Sequence, residues 1–246
     1  MTMKHLLSRE SIAMVARLAQ QRTLCAFDFD GTLAPIAREP WLAHLRRRTR
    51  ELLRRLADLY PCIVVSGRAR ADVLGKLSGI AVARAIGNHG AETETARGSR
   101  RRVKRWKTAL EDSLSDIPGV WVEEKGFSLA VHYRRCAQKA EARRRILAAA
   151  NGLRQAHIFG GKQVVNVAPC GAPNKGDALA RERDRLRCDW VLYVGDDEND
   201  EAAFALGGNL VSVRIGRKLR SHARYYLRTQ AEIDALLELL VRLRQA

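Results

Sequence analysis

Four short segments hold residue types that could do chemistry: Asp28-Phe29-Asp30-Gly31-Thr32, Ser66-Gly67-Arg68, Asn174-Lys175-Gly176 and Gly195-Asp196-Asp197-Glu198-Asn199-Asp200. Each follows an apolar run that reads as a buried strand or opens a helix. Asp28 and Asp30 are two residues apart, so in an extended chain both carboxyls face one ligand. One of them can attack phosphorus while the other handles a proton. A carboxylate nucleophile gives an acyl phosphate, which divides one hard displacement into two easier ones. Its partner can protonate the departing alkoxide and then deprotonate the hydrolytic water. Asp28, Asp30, Asp196, Asp197 and Asp200 on one rim would repel one another strongly without a cation among them. Hard carboxylate oxygens without clustered His or Cys favour Mg2+. Ser66 and Lys175 offer a hydroxyl and an ammonium to phosphoryl oxygens that gain charge in a transition state. A lysine at a helix start opposes the macrodipole, which favours a functional reason for it. Taken singly, each aspartate reads better as a helix cap or a turn residue than as part of a site. The Asp-Asp-x-x-Asp directly after WVLYVG, together with a second strand-end Asp-x-Asp, tips the balance to a site.

The elements that must position these groups follow from the apolar pattern. A short amphipathic helix over residues 8–21 precedes the strand TLCAF, which ends at Asp28. A helix over 46–59 leads to CIVVSG, a continuous apolar strand of the kind buried on both faces of a parallel sheet. A helix over 69–78 and the strand ARAIG lead to Asn88-His89-Gly90. Strand, helix, strand, helix, strand with polar groups at the carboxyl ends predicts a doubly wound α/β fold with a mostly parallel sheet. Its ligand site lies outside those carboxyl ends. After about residue 95 the pattern changes: the basic stretch RGSRRRVKRWK, then GVWVEEKG and FSLAVHYRR as a hairpin, a helix over 137–153, and HIFGG and KQVVNVAP as a second hairpin. This reads as an α+β cap over residues 96–169, inserted into a core of residues 1–95 and 170–246. Hinges are expected near 93–98 and 168–174. The alternation then resumes with a helix over 175–186, the strand WVLYVG, a helix over 199–206, the strand LVSVRIG and a last helix over 230–244.

The chain has 246 residues, 46% of them apolar, enough for one substantial core or a core plus a small domain. Lys and Arg number 44 against 27 Asp and Glu, a formal charge of +17 that raises the question of a nucleic acid. The arginines are spread over most helices, no nucleic-acid motif is present, and aromatic residues make up only 6%. The excess charge suits attraction of a phosphorylated small molecule instead. Five scattered cysteines with no C-x-x-C pair fit a reducing compartment. The N-terminus lacks a secretory pattern and no apolar run approaches the ~18–20 residues of a membrane span. The expectation is a cytoplasmic protein that acts without nucleic acid or membrane, as a monomer rather than an oligomer.

FDFDGTL, VVSGR, the strand-end lysine and GDDxxD resemble the four motifs of the haloacid dehalogenase superfamily of Mg-dependent phosphohydrolases. More narrowly, DFDGTLAPI, SGR, GNHGAE, VEEKGFSLAVHYR, the Pro169–Gly176 segment ending in Lys-Gly, and YVGDDENDEAAF resemble trehalose-6-phosphate phosphatases, in order and at similar spacing. The likeness runs from Asp28 to the helix after Asp200, most of the chain. It implies that Asp28 is the nucleophile and an Mg2+ ligand, and that Asp30 is the acid/base and binds the metal through its backbone carbonyl. Ser66, with Gly67 and Arg68 beside it, and Lys175 would hold the phosphoryl group, and His89 of GNHGAE would face the substrate. Asp196 would ligate the metal, with Asp197 and Asp200 in support through waters or Lys175. Glu123 and Lys125 would hydrogen-bond sugar hydroxyls, with His132 and Arg134 nearby.

Two positions depart from the resemblance. Asn166 stands where the family usually has a glutamate that contacts the sugar, and Asn199 where a threonine is more usual. The first leaves another glycosyl phosphate, such as a glucosylglycerol phosphate, as an alternative substrate. A receiver-like phosphoacceptor module is a competing class. It would need an aspartate where this chain has Ser66-Gly67, and it gives the inserted unit no purpose.

Overall fold

In the computed structural model, which describes residues 3–91, 97–161 and 163–246, the apolar runs form the centre of a parallel sheet. The first part of the chain forms β1 (Lys4–His5), α1 (Ile12–Gln20), β2 (Thr23–Phe27), α2 (Arg47–Leu59), β3 (Cys62–Val65), α3 (Arg70–Lys76) and β4 (Arg84–Ile86). The middle part forms α4 (Arg97–Leu114), β5 (Trp121–Glu124), β6 (Leu129–His132), α5 (Lys139–Asn151), β7 (Ala156–Gly161) and β8 (Val164–Pro169). The last part forms α6 (Lys175–Arg185), β9 (Trp190–Gly195), α7 (Glu201–Phe204), β10 (Leu210–Ile215), β11 (Tyr225–Leu227) and α8 (Glu232–Gln245).

Seven strands lie in the order β1-β11-β10-β9-β2-β3-β4, with every pair parallel. From β2 the chain moves outward to β3 and β4; from β9 it moves the other way to β10 and β11. The direction reverses between β2 and β9, the switch point at which a doubly wound sheet opens a crevice. Phe27 pairs with Val194, so Asp28 and Gly195-Asp196 emerge side by side at that point. Alternate strand residues bury to opposite faces. Cys25, Phe27, Leu192 and Val194 pack under α1, α2, α3 and α8, while Leu24, Ala26, Val191 and Tyr193 pack under α6 and α7.

The second sheet is antiparallel, in the order β5-β6-β8-β7. Leu129, Val131, Val165 and Val167 turn to α4 and α5, where they meet Val103, Trp106, Leu110 and Ile146. By the same alternation the opposite face carries Trp121, Glu123, His132, Phe159, Val164 and Asn166.

The doubly wound, mostly parallel sheet and the separate small α+β unit are as the sequence predicts. Some elements differ. The basic stretch after residue 96, to which the sequence assigned no element, forms α4, 18 residues long, with Val103, Trp106, Leu110 and Leu114 on its buried side. The short edge strand β1 and its neighbour β11 were not expected. The expected helix over 199–206 is a 3-10 turn at Glu198–Asp200 followed by the single turn of α7. Of the expected hinges, residues 93–96 lie outside the described residues, and 168–174 joins β8 to α6. All five cysteines are free thiols. No helix among the described residues is long and apolar enough to cross a membrane.

Candidate active site

The site begins with how α6 starts. Asn174 caps it, its side chain accepting from the backbone N–H of Gly176 at 2.8 Å and of Asp177 at 3.1 Å, while Asp177 accepts from the Asn174 N–H at 3.0 Å. This reciprocal cap fixes the next residue, Lys175, whose side chain is buried and spans inward to the switch point. Its Nζ donates to Asp28 Oδ1 at 2.7 Å and to Asp200 Oδ1 at 2.6 Å. Asp200 is held from four directions. Tyr193 Oη donates to Oδ1 at 2.6 Å, and the N–H groups of Asp196 and Asp197 donate to Oδ2 at 2.8 and 2.9 Å. Arg214, from β10, holds the same loop by donating to the carbonyls of Asp196 at 2.7 Å and Asp197 at 3.0 Å.

Asp28, Asp196 and Asp200 each bring a carboxylate oxygen to within 4.8 Å of the others, and all three are buried. Gly31 makes the approach possible: at φ +83° it takes a left-handed turn, and a Cβ there would overlap the Asp196 carboxylate. Burial is the largest influence on Asp28 and lifts its pKa well above the ordinary range; Asp200 and Asp196 add to the rise and Lys175 opposes it. Burial works against the Lys175 ammonium, but Asp200 and Asp28 outweigh it and hold Lys175 above an ordinary lysine. Burial also opposes the charge on Asp200, yet Lys175, Tyr193 and the Asp197 amide hold it below the ordinary carboxylate range. Asp28 and Asp200 share the one Lys175 ammonium with Asp196 beside them, a gathering of carboxylates whose charge a divalent cation would offset. With hard oxygen donors and no thiolate or imidazole among them, the set fits Mg2+.

Asp30 lies beside this group, engaged elsewhere. Arg68 grips it with two parallel bonds, Nε to Oδ2 at 2.6 Å and Nη2 to Oδ1 at 2.7 Å, and also reaches Asp72 and the Pro40 carbonyl, each at 2.6 Å. Ser66 is fully buried and its Oγ accepts from the Arg68 N–H at 3.2 Å. Asp197 caps the 3-10 turn through the Glu198 N–H at 2.8 Å. The carboxylates of Asp30 and Asp197 are therefore outside the cluster of three.

Above the rim, a cavity separates these groups from the open face of the second sheet. Asp28, Asp30, Gly67, Arg68, His89 and Asp196 line one side, and Glu123, Lys125, His132 and Asn166 the other. Glu123 Oε2 accepts a hydrogen bond from His132 Nε2 at 2.8 Å and stands 3.8 Å from Lys125 Nζ; Trp121 stacks on the His132 ring at 4.0 Å. Burial opposes the Glu123 charge, but His132 and Lys125 hold its pKa below the ordinary range. Burial pulls the Lys125 ammonium downward, only partly offset by Glu123. Arg134 is committed to the loop after Asp28, donating to the carbonyls of Ala37 at 2.7 Å and Arg38 at 2.9 Å. It ties the second sheet to the rim.

Sequence reasoning missed Tyr193, Arg214 and Trp121. The first two carried a signal, since each is a polar group inside a mostly apolar buried strand, WVLYVG and LVSVRIG. Trp121 had only its period-two alternation with Glu123.

The chain matches the trehalose-phosphatase family model over residues 26–232. It is 32% identical over 219 residues to the trehalose-phosphate phosphatase of Mycobacterium tuberculosis, covering 81% of this chain and 55% of that protein. It is 36% identical over 210 residues to an uncharacterized glycosyl hydrolase of the same organism, covering 76% of this chain and 15% of that one. The chain spans about half the length of the phosphatase relative and a smaller part of the glycosyl hydrolase. The C-terminal domain of the Candida albicans trehalose-6-phosphate phosphatase superposes with a TM-score of 0.84 at 20% identity, covering 98% of each chain, a likeness of fold.

Proposed function

The chain belongs to the trehalose-phosphatase family, and from that premise we propose that it hydrolyses trehalose 6-phosphate to trehalose and phosphate. The observation that carries the chemistry is the Asp28 carboxylate at the switch point, 2.7 Å from a buried ammonium and open to the cavity. Asp28 attacks phosphorus; the bond from phosphorus to the sugar oxygen breaks, and that oxygen leaves with the electron pair and takes a proton from Asp30, whose carboxyl must first turn from its pairing with Arg68. Water, giving its proton back to Asp30, then attacks the aspartyl phosphate and restores Asp28. Lys175, Ser66 and the turn at Gly67 hold the phosphoryl oxygens in both steps. Asp28, Asp196 and the Asp30 carbonyl, with Asp197 and Asp200 behind them, would hold Mg2+, which when bound offsets charge on the clustered carboxylates and the phosphoryl group.

Residues 96–169 serve in this reading as the cap, presenting Glu123, Lys125 and His132 to sugar hydroxyls, over a core of residues 1–95 and 170–246. Arg134 braces the cap against the rim. Asn166, a neutral amide buried in the sugar-facing side, favours a second reading in which the same chemistry serves another glycosyl phosphate, such as a glucosylglycerol phosphate. Phosphate release across a panel of sugar phosphates, with and without Mg2+, tests both. Trehalose 6-phosphate ranking low would overturn the first substrate, and turnover unaffected by chelation would overturn the metal.

A further inference from the structure

Arg68 carries more carboxylate than one guanidinium needs. Its Nε and Nη2 take both oxygens of Asp30, at 2.6 and 2.7 Å. Its Nη1 donates to Asp72 Oδ2 at 2.6 Å, and Nη2 reaches the Pro40 carbonyl at 2.6 Å as well. The two carboxylates differ in place. Asp30 lines the cavity, whereas Asp72 stands in the first turn of α3 and is not among the residues that line it. The Arg68 side chain is only 11% exposed and that of Asp72 45%. Burial opposes the guanidinium charge, but Asp30 and, after it, Asp72 outweigh burial and hold Arg68 above an ordinary arginine. The other charged neighbour of Asp72 is Lys76, 3.8 Å away and four residues along. Nothing in the reaction as described so far uses Asp72.

In that reaction the Asp30 carboxyl protonates the leaving sugar oxygen, so it has to swing from Arg68 into the cavity. Were Asp30 the sole partner, the swing would strand a largely buried guanidinium, and a buried charge stripped of its counter-charge is costly. Asp72 changes the balance between the two positions. With Asp30 in place, two carboxylates compete for one guanidinium and repel each other. With Asp30 turned away, Arg68 still keeps an ion pair and the Pro40 carbonyl. Both effects favour the swing. We propose that Asp72 is a positioning residue for the reaction, which retains Arg68 so that Asp30 can pass from the guanidinium to the leaving oxygen. It acts through Arg68 and touches neither the substrate nor the metal. The proposal rests on the phosphatase reading above and adds what releases its acid.

The test measures kcat/KM for trehalose 6-phosphate and for p-nitrophenyl phosphate in the wild type, Asp72→Asn and Asp72→Glu. A sugar alkoxide leaves poorly without a proton, whereas p-nitrophenolate leaves without one. The ratio kcat/KM reports the steps up to phosphoryl transfer onto Asp28, before the water step in which Asp30 serves both esters alike. Asparagine keeps the size and removes the charge, so Arg68 holds Asp30 more firmly. In Asp72→Asn the sugar-phosphate value is expected to fall about tenfold, the scale of one charge-assisted hydrogen bond, while the aryl value stays within about twofold. Glutamate returns a carboxylate and is expected to bring the sugar-phosphate value back. Both variants should keep the thermal midpoint of the wild type, since Asp72 is nearly half exposed. Loss in proportion on both esters, no loss in Asp72→Asn, or no recovery in Asp72→Glu overturns the proposal. If the wild type prefers another sugar phosphate, that ester takes the place of trehalose 6-phosphate, because only its alkyl leaving group matters. The substrate reading then fails while the proposal is still decided. A wild type that releases phosphate from neither kind of ester with Mg2+ would sink the phosphatase reading, and the proposal with it.

Discussion

Lys175 and Asp28 look like a simple ion pair but are predicted to respond to mutation in opposite ways. Lys175 lies between Asp28 and Asp200 with almost no solvent, so Lys175→Met leaves buried carboxylates without their counter-charge. Losses of this kind run to about 3–5 kcal/mol, and urea unfolding should show a drop of that order. Asp28 is the opposite case: burial and two carboxylate neighbours already disfavour its charge. Asp28→Asn should therefore leave the unfolding midpoint unchanged or raised while phosphate release is abolished. Near-normal turnover in that variant would show the nucleophile to be elsewhere. His89 gives a pH test. The folded state holds it neutral well below the ordinary imidazole pKa, whereas the unfolded chain takes up a proton near pH ~6.5. Its stabilising contribution is complete above that value and is lost as pH falls toward the folded pKa, by up to about 1.4 kcal/mol per pH unit. Thermal midpoints between pH 7.5 and 5.5 should fall less steeply in His89→Asn than in the wild type; parallel slopes would count against a neutral buried ring.

At the scale of elements, α4 shows what a charge-rich sequence conceals. Val103, Trp106, Leu110 and Leu114 recur at helical spacing, but arginines and lysines between them give the segment the composition of a solvated run. The core of the second sheet depends on that hidden stripe. Trp106→Ala should cost about 3–5 kcal/mol, the range for a buried aromatic, whereas Arg105→Glu on the exposed side should stay within about 0.5 kcal/mol. Equal effects would mean that α4 does not pack as described. The parallel sheet was readable because TLCAF, CIVV and WVLYV are almost wholly apolar and end in the polar groups that matter. Asp28, Lys175 and Asp196 could be placed on one rim because carboxyl ends of neighbouring strands must converge there. The Arg68 grip on Asp30 and the Arg134 bonds to the Ala37 and Arg38 carbonyls were not readable, since a guanidinium's partner across the fold, above all a backbone carbonyl, leaves no mark in sequence. The strands β1 and β11 are two and three residues long, too short for any period to declare itself.

For the whole molecule, 44 basic side chains stand against 27 acidic ones, while the floor of the cavity is acidic. These two features act at different ranges. The carboxylates at the floor would repel a phosphate dianion at contact, and on the proposed function Lys175 and a cation held there would offset that locally, where bulk salt screens little. The wider basic field acts before contact and is screened over about 10 Å at 0.1 M salt and about 3 Å at 1 M. On the proposed function it would draw an anionic substrate toward the rim and raise its encounter rate. Raising ionic strength should therefore lower kcat/KM for a sugar phosphate, chiefly through KM, while kcat, set by groups buried at the switch point, changes little. The check is steady-state kinetics at fixed Mg2+ across that salt range. A kcat/KM indifferent to salt would place the surplus charge too far from the cavity mouth to steer anything, on surfaces such as the outer side of α4. A kcat that fell in step would mean that salt reaches the buried carboxylates, against their near-complete exclusion from solvent.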